Sequence, residues 1–249
     1  MHNHNNDQGE IVALANNVEK SGWSLLSDGS VLRHAFIQSR AADHVGRGMT
    51  ICIAAICNSG KKVVVASDRM VTAEHISTQF EGQDSKIIPL SGSCVAMTAG
   101  DALVHTEVFQ AARSAIDSKS ITQVTQIVDH VKEAFVNERK KRFEETKLKP
   151  RGLTLEEFYG GAQRTLDSNI CMRLDMELEK SELDLHIVIA GVDQGGGRVY
   201  CLIDPGTAQC FNALGFCGIG SGYPHAMSVL IFNNFNPRID LNRAAYLVY

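Results

Sequence analysis

Uninterrupted apolar runs, rather than alternating apolar and polar positions, mark the first strands of this chain. Four of these runs form two predicted hairpins, Thr50–Ile56 with Lys62–Ser67 and Lys86–Leu90 with Ser93–Thr98. Turn residues lie between the partners, Asn58-Ser59-Gly60-Lys61 in the first hairpin and Ser91-Gly92 in the second. Because the runs are apolar throughout, we expect both faces of these strands to be buried.

Two helices are predicted after the second hairpin. Asp101 is placed to cap the first of them, which ends near Ser118. The second helix continues into the charged segment Glu138–Lys149 and ends at Pro150. One face of this second helix carries apolar residues at three- and four-residue spacing, namely Ile121, Val124, Ile127, Val128, Val131 and Phe135.

A third helix and a third hairpin follow. Thr154 and Glu157 have the spacing of a capping box, which opens a helix that continues in pieces to Lys180. Beyond it, the apolar runs Leu185–Val192 and Arg198–Ile203 flank a Gly-rich turn. A short Gly-rich turn between two such runs is typical of a β-hairpin.

The last predicted elements complete the architecture. A strand-like run, Phe211–Ile219, ends at Gly220-Ser221-Gly222, and helices follow over Pro224–Asn233 and from Asp240 onward. The chain is therefore ordered as strands, helices, strands and helices. Two facing antiparallel sheets with helices on their outer surfaces would bury every apolar face. We predict an α+β fold, a four-layer αββα sandwich.

The two ends of the sequence carry separate signals. Residues 1–48 are polar, lack sustained periodicity and end in Gly46-Arg47-Gly48. Three interpretations stay open for them: a removable propeptide, a small appended segment, or a stretch upstream of a natural start at Met49. The main domain is predicted over residues 49–249. The helical pattern that reaches Tyr249 predicts a truncated C-terminus.

Composition narrows the class of protein. The 249 residues include 44% apolar and 21% charged side chains, which is ordinary for a soluble globular domain. The net charge of −4 gives no reason to expect a nucleic-acid partner. Seven scattered cysteines without a C-x-x-C pair fit buried thiols in a reducing compartment. Without an apolar run of membrane-spanning length or the features of a secretory signal, we expect a cytoplasmic protein.

Three polar residues lie where predicted strands meet turns. Thr50 opens the first strand, Asp68 follows the second, and Lys86 opens the third. If the chain were cut before Thr50, its hydroxyl and a free α-amine would share one residue, and the amine can act as general base for the hydroxyl. Each residue alone also fits a structural role, Thr50 as a β-former and Asp68 with Lys86 as a surface ion pair.

Other residues with reactive or charged side chains fit structural roles too. Cys52 and Cys57 lie within the first hairpin, where buried strand thiols are expected rather than nucleophiles. Ser221 fits both a tight turn and a site. The basic cluster 139–142 has glutamates beside it, which is typical of a solvated helix face rather than a nucleic-acid site.

Several short motifs occur along the chain in the order of a known family. They are Thr50, Ala66-Ser67-Asp68-Arg69, Lys86-Ile87, Ala99-Gly100-Asp101, the strand pair Leu185–Pro205 and Gly220-Ser221-Gly222. With them, residues 49–249 resemble the proteasome β-type family of N-terminal nucleophile (Ntn) hydrolases. Among that family, the bacterial proteasome-like peptidases that begin with Met-Thr look closest.

The resemblance implies a threonine-type peptidase or amide hydrolase that needs neither metal nor cofactor. It also implies a homo-oligomeric ring that acts on a peptide or protein substrate, and it leaves any unfoldase partner open. The implied catalytic residues are Thr50 as nucleophile, with Asp68, Lys86 and Ser221 around it. The implied substrate-binding residues, near an oxyanion site, are Met97, Thr98, Ala99 and Gly100.

The chain departs from the family pattern at four places. The interval from Thr50 to Asp68 is about two residues longer than usual, an excess that the turn at Asn58-Ser59 would absorb. Met97 stands where the family has a glycine near the S1 pocket, so a larger side chain would narrow that pocket. The interval between Lys86 and Ser221 is longer than usual, with the excess around Arg139–Lys180. The family's late aspartate and serine would fall beyond Tyr249.

Two other functions stay open beside the peptidase. One is a catalytically silent proteasome-like subunit for assembly or binding, in which Thr50 stays an internal residue without a free amine. The other is an amidase for small substrates that shares the fold. Pocket shape rather than fold separates a peptidase from an amidase.

Overall fold

The computed structural model of the chain describes residues 10–15, 24–25, 31–35, 50–73, 78–81, 86–101 and 104–249. Over these residues the protein is α+β, with two large β-sheets, one separate pair of strands and six α-helices. The α+β class predicted from the order of apolar patterns is therefore confirmed.

Strands and helices are numbered along the chain. The strands are β1 (Glu10–Ala15), β2 (Ser24–Leu25), β3 (Val31–Ala35), β4 (Cys52–Cys57), β5 (Lys62–Ser67), β6 (Met70–Ala73), β7 (Thr78–Glu81), β8 (Ile87–Ser91), β9 (Cys94–Gly100), β10 (Leu185–Asp193), β11 (Gly196–Ile203), β12 (Thr207–Cys210) and β13 (Phe216–Ile219). The helices are α1 (Val104–Ser118), α2 (Val124–Phe143), α3 (Leu155–Gly160), α4 (Ser168–Glu179), α5 (Tyr223–Phe232) and α6 (Leu241–Val248).

The first sheet has the strand order β13-β4-β5-β1-β3-β2. Strands β4 and β5 form an antiparallel hairpin in which Cys52 lies opposite Ser67. Its turn uses Asn58 and Ser59 at φ angles of 52° and 58°, a left-handed conformation that Asn tolerates better than most residues. Strand β13 pairs antiparallel with β4, and β1 pairs in parallel with β5.

The second sheet is antiparallel throughout, with the order β12-β11-β10-β9-β8. Its two hairpins are the β8–β9 pair around Ser91-Gly92 and the β10–β11 pair around the Gly-rich turn. Strand β8 therefore lies at one edge of this sheet, and the residue before it, Lys86, is at the end of that edge strand.

Apolar side chains form three main clusters that join these elements. The inter-sheet core lies between the two sheets and includes Cys52, Val63, Met97, Val188 and Cys217. A second cluster packs α1 and α2 on the second sheet, and a third packs α5 and α6 on the first sheet. Burial of apolar surface on both faces of each sheet is the main force that holds these elements together.

The hairpins that the apolar runs predict are confirmed. All six residues of β4 are buried, and so are four of the six residues of β5. Strands β8 and β9 and strands β10 and β11 also pair as expected. The expectation of burial on both faces holds because one face meets the other sheet and the opposite face meets helices.

The helices also follow the prediction closely. Thr154 and Glu157 form the predicted capping box at the start of α3. Helix α2 begins at Val124, so Ile121 was wrongly assigned to it; Ile121 precedes the helix and packs against the same apolar cluster. The helical path beyond Phe143 continues as a π-helical turn to Leu148 and a short 3-10 turn that contains Pro150. The predicted cap at Asp101 involves residues 102–103, which lie outside the described residues.

One predicted strand was too long, and strands β6, β7 and β12 were not predicted. Only Phe216–Ile219 of the run 211–219 is a strand, because Gly215 donates its N–H to the Phe211 carbonyl at 2.8 Å and closes a turn. Gly215 has a φ of +86°, which suits glycine at the end of that turn. Strand β12 is short, half of it polar, and carries no clear apolar pattern.

Part of the segment before residue 49 belongs to the first sheet. Strand β1 pairs with β5 over six residues, from Glu10 opposite Lys62 to Ala15 opposite Ser67. Ile11 is buried in the inter-sheet core. The pairing extends outward through β3 and β2. The polar composition of residues 1–48 did not indicate these strands.

The segment between α2 and β10 has an apolar cluster of its own. Phe143, Leu148, Phe158 and Leu174 are each at most 4% exposed and contact one another. This cluster holds α3 and α4 against the end of α2. It accounts for the region of extra length noted around Arg139–Lys180. Among the described residues, no helix is both long enough and apolar enough to cross a bilayer.

Leu202 tests the packing of α2 on the second sheet. It is fully buried in the cluster between α1, α2 and that sheet. We expect Leu202→Ala to lower the free energy of unfolding by about 2–5 kcal/mol, because it removes buried apolar surface and leaves a cavity. Leu214→Ala is the matched control, since Leu214 is 48% exposed. Chemical denaturation of both variants measures the difference, and equal losses would contradict the packing described.

Candidate active site

A lysine, a threonine and an aspartate meet at one end of the two sheets. The Lys86 ammonium donates to Thr50 Oγ1 at 3.2 Å and to Asp68 Oδ1 at 2.6 Å. The side chains of Lys86 and Asp68 are only 14% and 18% exposed. The ammonium is therefore held between a hydroxyl and a carboxylate in a largely enclosed position.

Strand pairing explains why these residues meet. Thr50 lies just before β4 and Asp68 just after β5, and the antiparallel hairpin brings these two ends side by side. The main chain extends the pairing by one step, because the Asp68 N–H donates to the Ile51 carbonyl at 3.1 Å. Lys86 reaches the same point from the second sheet, where it precedes the edge strand β8.

A tight turn after β13 fixes the main chain of Thr50. The Gly222 N–H donates to the Thr50 carbonyl at 3.1 Å, and the Thr50 N–H donates to Ser221 Oγ at 3.2 Å. Gly220 has a φ of +92°, and a Cβ at this position would overlap the Thr50 carbonyl oxygen. A glycine is therefore required at 220 both by backbone conformation and by contact with Thr50.

Opposing effects act on the Asp68 carboxyl. Burial raises its pKa, and the hydrogen bond and charge of Lys86 act in the opposite direction. Its second oxygen, Oδ2, is buried and has no hydrogen-bond partner among the described residues. The carboxylate is thus committed to Lys86 through Oδ1 and fixes the position of the ammonium.

Cys52 lies beside this group but does not have the properties of a nucleophile. It is fully buried, and burial raises the pKa of its thiol to about 12 despite the nearby Lys86 charge. Its Sγ donates to the Thr98 carbonyl at 3.4 Å. Since the thiolate is the reactive form of cysteine, Cys52 serves as a packing residue. Cys57 is also fully buried, as the sequence predicts for strand thiols.

The predicted substrate-binding residues lie on β9. The pairing of Ile87 with Met97 brings the following residues of β9, from Thr98 onward, alongside Lys86. Thr98 and Ala99 are 7% and 8% exposed, and Gly100 is exposed at the end of the strand. The Met97 side chain is fully buried in the inter-sheet core. Its assignment to a substrate pocket stays a prediction.

The structure thus brings four of the sequence-selected residues into direct contact: Thr50, Asp68, Lys86 and Ser221. Sequence reasoning missed the main-chain contributions, which are the Gly222 N–H on Thr50 and the Asp68 N–H on Ile51. The Gly-Ser-Gly motif was a signal for the first, because glycines on both sides of a serine allow close approach of backbone. Local sequence carries no signal for the second.

Within the part of the chain that the structure describes, no group of three or more His, Cys, Asp or Glu side chains is arranged to hold a metal ion. The groups that the described residues place at Thr50 are a hydroxyl, an ammonium, a carboxylate and a main-chain N–H. Comparison with known proteins adds no assignment, since neither protein-family models nor curated protein sequences match this chain.

Gly220 tests the contact between the turn and Thr50. We expect Gly220→Ala to destabilise the protein by about 1–3 kcal/mol, because the new methyl group meets the Thr50 carbonyl and the left-handed backbone is strained. Gly160→Ala is the control, because a Cβ at Gly160 has no atom within 4 Å. Thermal and chemical unfolding of both variants compare them. Equal stability of the two variants would show that the turn at Gly220 is not in close contact with Thr50.

Proposed function

We propose that this protein is a threonine-type N-terminal nucleophile hydrolase that cleaves peptide or other amide bonds, with Thr50 as nucleophile. The single observation that carries the proposal is the Lys86 ammonium shared between Thr50 Oγ1 and Asp68 Oδ1. A largely enclosed lysine that donates to a hydroxyl favours the ionised form of that hydroxyl, which a purely structural threonine does not require.

The arrangement of the apolar clusters supports a related proposal on fold. One cluster lies between the sheets, and one lies on the outer face of each sheet under a pair of helices. We interpret this as the four-layer αββα sandwich of Ntn hydrolases. In that interpretation, one fold explains both the packing of the helices and the proteasome-like resemblance of residues 49–249.

The nucleophile needs a base, and the α-amine of Thr50 would supply it. In the intact chain the nitrogen of Thr50 belongs to a peptide bond and donates to Ser221 Oγ at 3.2 Å. Cleavage of the Met49–Thr50 bond converts this nitrogen into an amine. Such amines have an unperturbed pKa of about 7.7–8.0, so a substantial fraction is neutral near neutral pH.

The reaction then proceeds in two halves. The amine takes the Oγ1 proton as Oγ1 attacks the substrate carbonyl, and the tetrahedral intermediate collapses when the leaving amine accepts that proton. The product is an acyl ester on Thr50. Water, deprotonated by the same amine, attacks the ester and releases the acid and the free hydroxyl.

Lys86 contributes through its charge. An ammonium 3.2 Å from Oγ1 lowers the pKa of the hydroxyl and of the nearby α-amine, so more of the amine is neutral at a given pH. Asp68 keeps the ammonium in place through the 2.6 Å hydrogen bond. The main-chain N–H groups of the predicted Ala99-Gly100 segment are the proposed donors to the oxyanion.

A second function is supported by the N-terminal strand. Because β1 pairs with β5 over six residues, at least this strand of the segment before Thr50 is an integrated part of the first sheet. A chain that keeps this segment covalently attached has an amide at Thr50 and no base. It would then act as a catalytically silent, proteasome-like subunit in assembly or binding. In either case we propose a cytoplasmic protein in a homo-oligomeric ring.

The state of Thr50 separates these two functions. We expect the natively expressed protein to begin at Thr50, as read by intact mass and N-terminal sequencing. We also expect an electrophilic threonine-directed inhibitor to add one mass equivalent to the protein. Thr50→Ala should abolish this labelling, whereas Thr50→Ser, which retains a hydroxyl, should keep it. A chain that retains residues before Thr50, or equal labelling of Thr50→Ala, would rule out the hydrolase mechanism.

Lys86 provides a test of the charge effect. We expect Lys86→Ala to slow labelling of the mature chain by about 100-fold or more, because it removes the ammonium beside the nucleophile. Lys119→Ala removes a lysine that is exposed and remote in sequence from the site, and it serves as the control for net charge. Rates are measured only on the fraction of each variant that begins at Thr50. An unchanged rate for Lys86→Ala would mean that the hydrogen bond to Oγ1 has no catalytic role.

A further inference from the structure

A second feature is a cavity in the segment that packs against the end of α2. A cleft of about 560 Å³ opens between the C-terminal half of α2 and helix α4. Cavities of roughly 300–1,000 Å³ are typical of small-molecule sites. None of its lining residues belongs to the group around Thr50, so this cleft is independent of the proposed hydrolase function.

The lining of the cleft is strongly basic. Two carboxylates, those of Glu177 and Glu182, face five basic side chains. The basic residues are Arg139, Arg142, Lys147, Arg173 and Lys180. A concave surface with such an excess of positive charge attracts anions, because its low-dielectric walls focus the field.

Part of this charge is already neutralised by ion pairs. Lys147 Nζ lies 3.2 Å from Glu177 Oε2, and Arg142 Nε lies 2.9 Å from Glu138 Oε1. Arg173 also lies near Glu177, at 3.8 Å. In contrast, Arg139 and Lys180 form no ion pair with any carboxylate of the described residues. These two cations are the ones that a bound anion would neutralise.

Hydrogen bonds to the end of α4 fix the position of the Arg139 guanidinium. Its Nη1 donates to the Leu178 carbonyl at 3.1 Å and to the Ser181 carbonyl at 3.2 Å, at the end of α4. Its Nε is buried and has no hydrogen-bond partner among the described residues. Burial of a donor without a partner is unfavourable, and a ligand oxygen that reached Nε would remove this penalty. The guanidinium is therefore both pre-organised and incompletely satisfied.

From these observations we propose that the cleft binds a small phosphate-bearing polyanion of about the size of a nucleoside triphosphate. The guanidinium of Arg139 matches the geometry of phosphate oxygens, and Lys180 adds a mobile charge at the same cleft. Met176, which is 46% exposed, and Phe143 supply an apolar part of the lining. A ligand that combines phosphates with a flat apolar group fits this mixture best.

Isothermal titration calorimetry with ATP and with inorganic tripolyphosphate tests the proposal. We expect both probes to bind, ATP more tightly because its base contacts the apolar lining. Lys180→Gln should weaken binding about tenfold, through loss of a charge-assisted contact. Lys119→Gln, which removes the same charge at an exposed position outside the cleft, should leave affinity unchanged.

Other outcomes would overturn the proposal. If neither ATP nor tripolyphosphate binds, the proposal is wrong. If Lys180→Gln and Lys119→Gln weaken binding equally, the protein attracts the anions through its net charge only, and the proposal is wrong as well. Citrate that binds as tightly as tripolyphosphate would show a general anion site rather than a phosphate site. Binding of an RNA oligonucleotide without binding of tripolyphosphate would assign the basic surface to nucleic acid. Arg139→Lys should also weaken the binding of tripolyphosphate. The unfolding midpoint of this variant is measured to check that it is unchanged.

Discussion

The Lys86 ammonium reaches Thr50 and Asp68 because two β-sheets pack face to face through an apolar core. Thr50 and Asp68 flank strands β4 and β5 of the first sheet, while Lys86 precedes the edge strand of the second. Contact between them therefore depends on the spacing and angle of the sheets. Buried side chains such as Val63, Met97 and Val188 set that spacing. Because protein interiors are close-packed, a change in their volume would move the ammonium relative to the hydroxyl.

The same packing gives Cys52 and Thr50 different surroundings. Cys52 and Thr50 are two residues apart and both lie near Lys86. Cys52 points into the apolar core, where burial keeps its thiol protonated. The thiol donates a hydrogen bond to the Thr98 carbonyl. Thr50, just before strand β4, is partly exposed, and its Oγ1 accepts a hydrogen bond from the Lys86 ammonium. In the proposed mechanism, position along the chain rather than intrinsic reactivity therefore makes Thr50, the weaker nucleophile, the reactive residue.

Local patterns predicted most of the fold that surrounds the site. The β4–β5 and β8–β9 hairpins follow from apolar runs and turn residues a few positions apart, so their pairing requires no knowledge of distant sequence. The pairing of β1 with β5 is different, because about fifty residues separate the partners and β1 sits within a polar segment. A parallel pair has no connecting turn to signal it.

The site itself was predictable for the same reason, but only in part. Thr50, Asp68 and Lys86 each stand at a predicted strand end, and antiparallel pairing brings strand ends together. The alignment of Ser221 with the Thr50 nitrogen depends on β13, whose start was misplaced because the turn at Gly215 interrupts an apolar run. For the cleft between α2 and α4, the sequence contains one signal, the basic cluster 139–142. Its cavity arises from the packing of α4 on α2, which composition alone does not specify.

Ser221 makes the two states of Thr50 compatible with one geometry. In the intact chain its hydroxyl oxygen accepts a hydrogen bond from the Thr50 N–H at 3.2 Å. A hydroxyl is both donor and acceptor, so after cleavage the same oxygen can accept from an ammonium or donate to a neutral amine. The Gly222 N–H meanwhile holds the Thr50 carbonyl, which cleavage before Thr50 leaves untouched. In the proposed mechanism, exposure of the amine would therefore leave these two contacts of the turn in place, and the proton would move between Oγ1 and the amine within that framework.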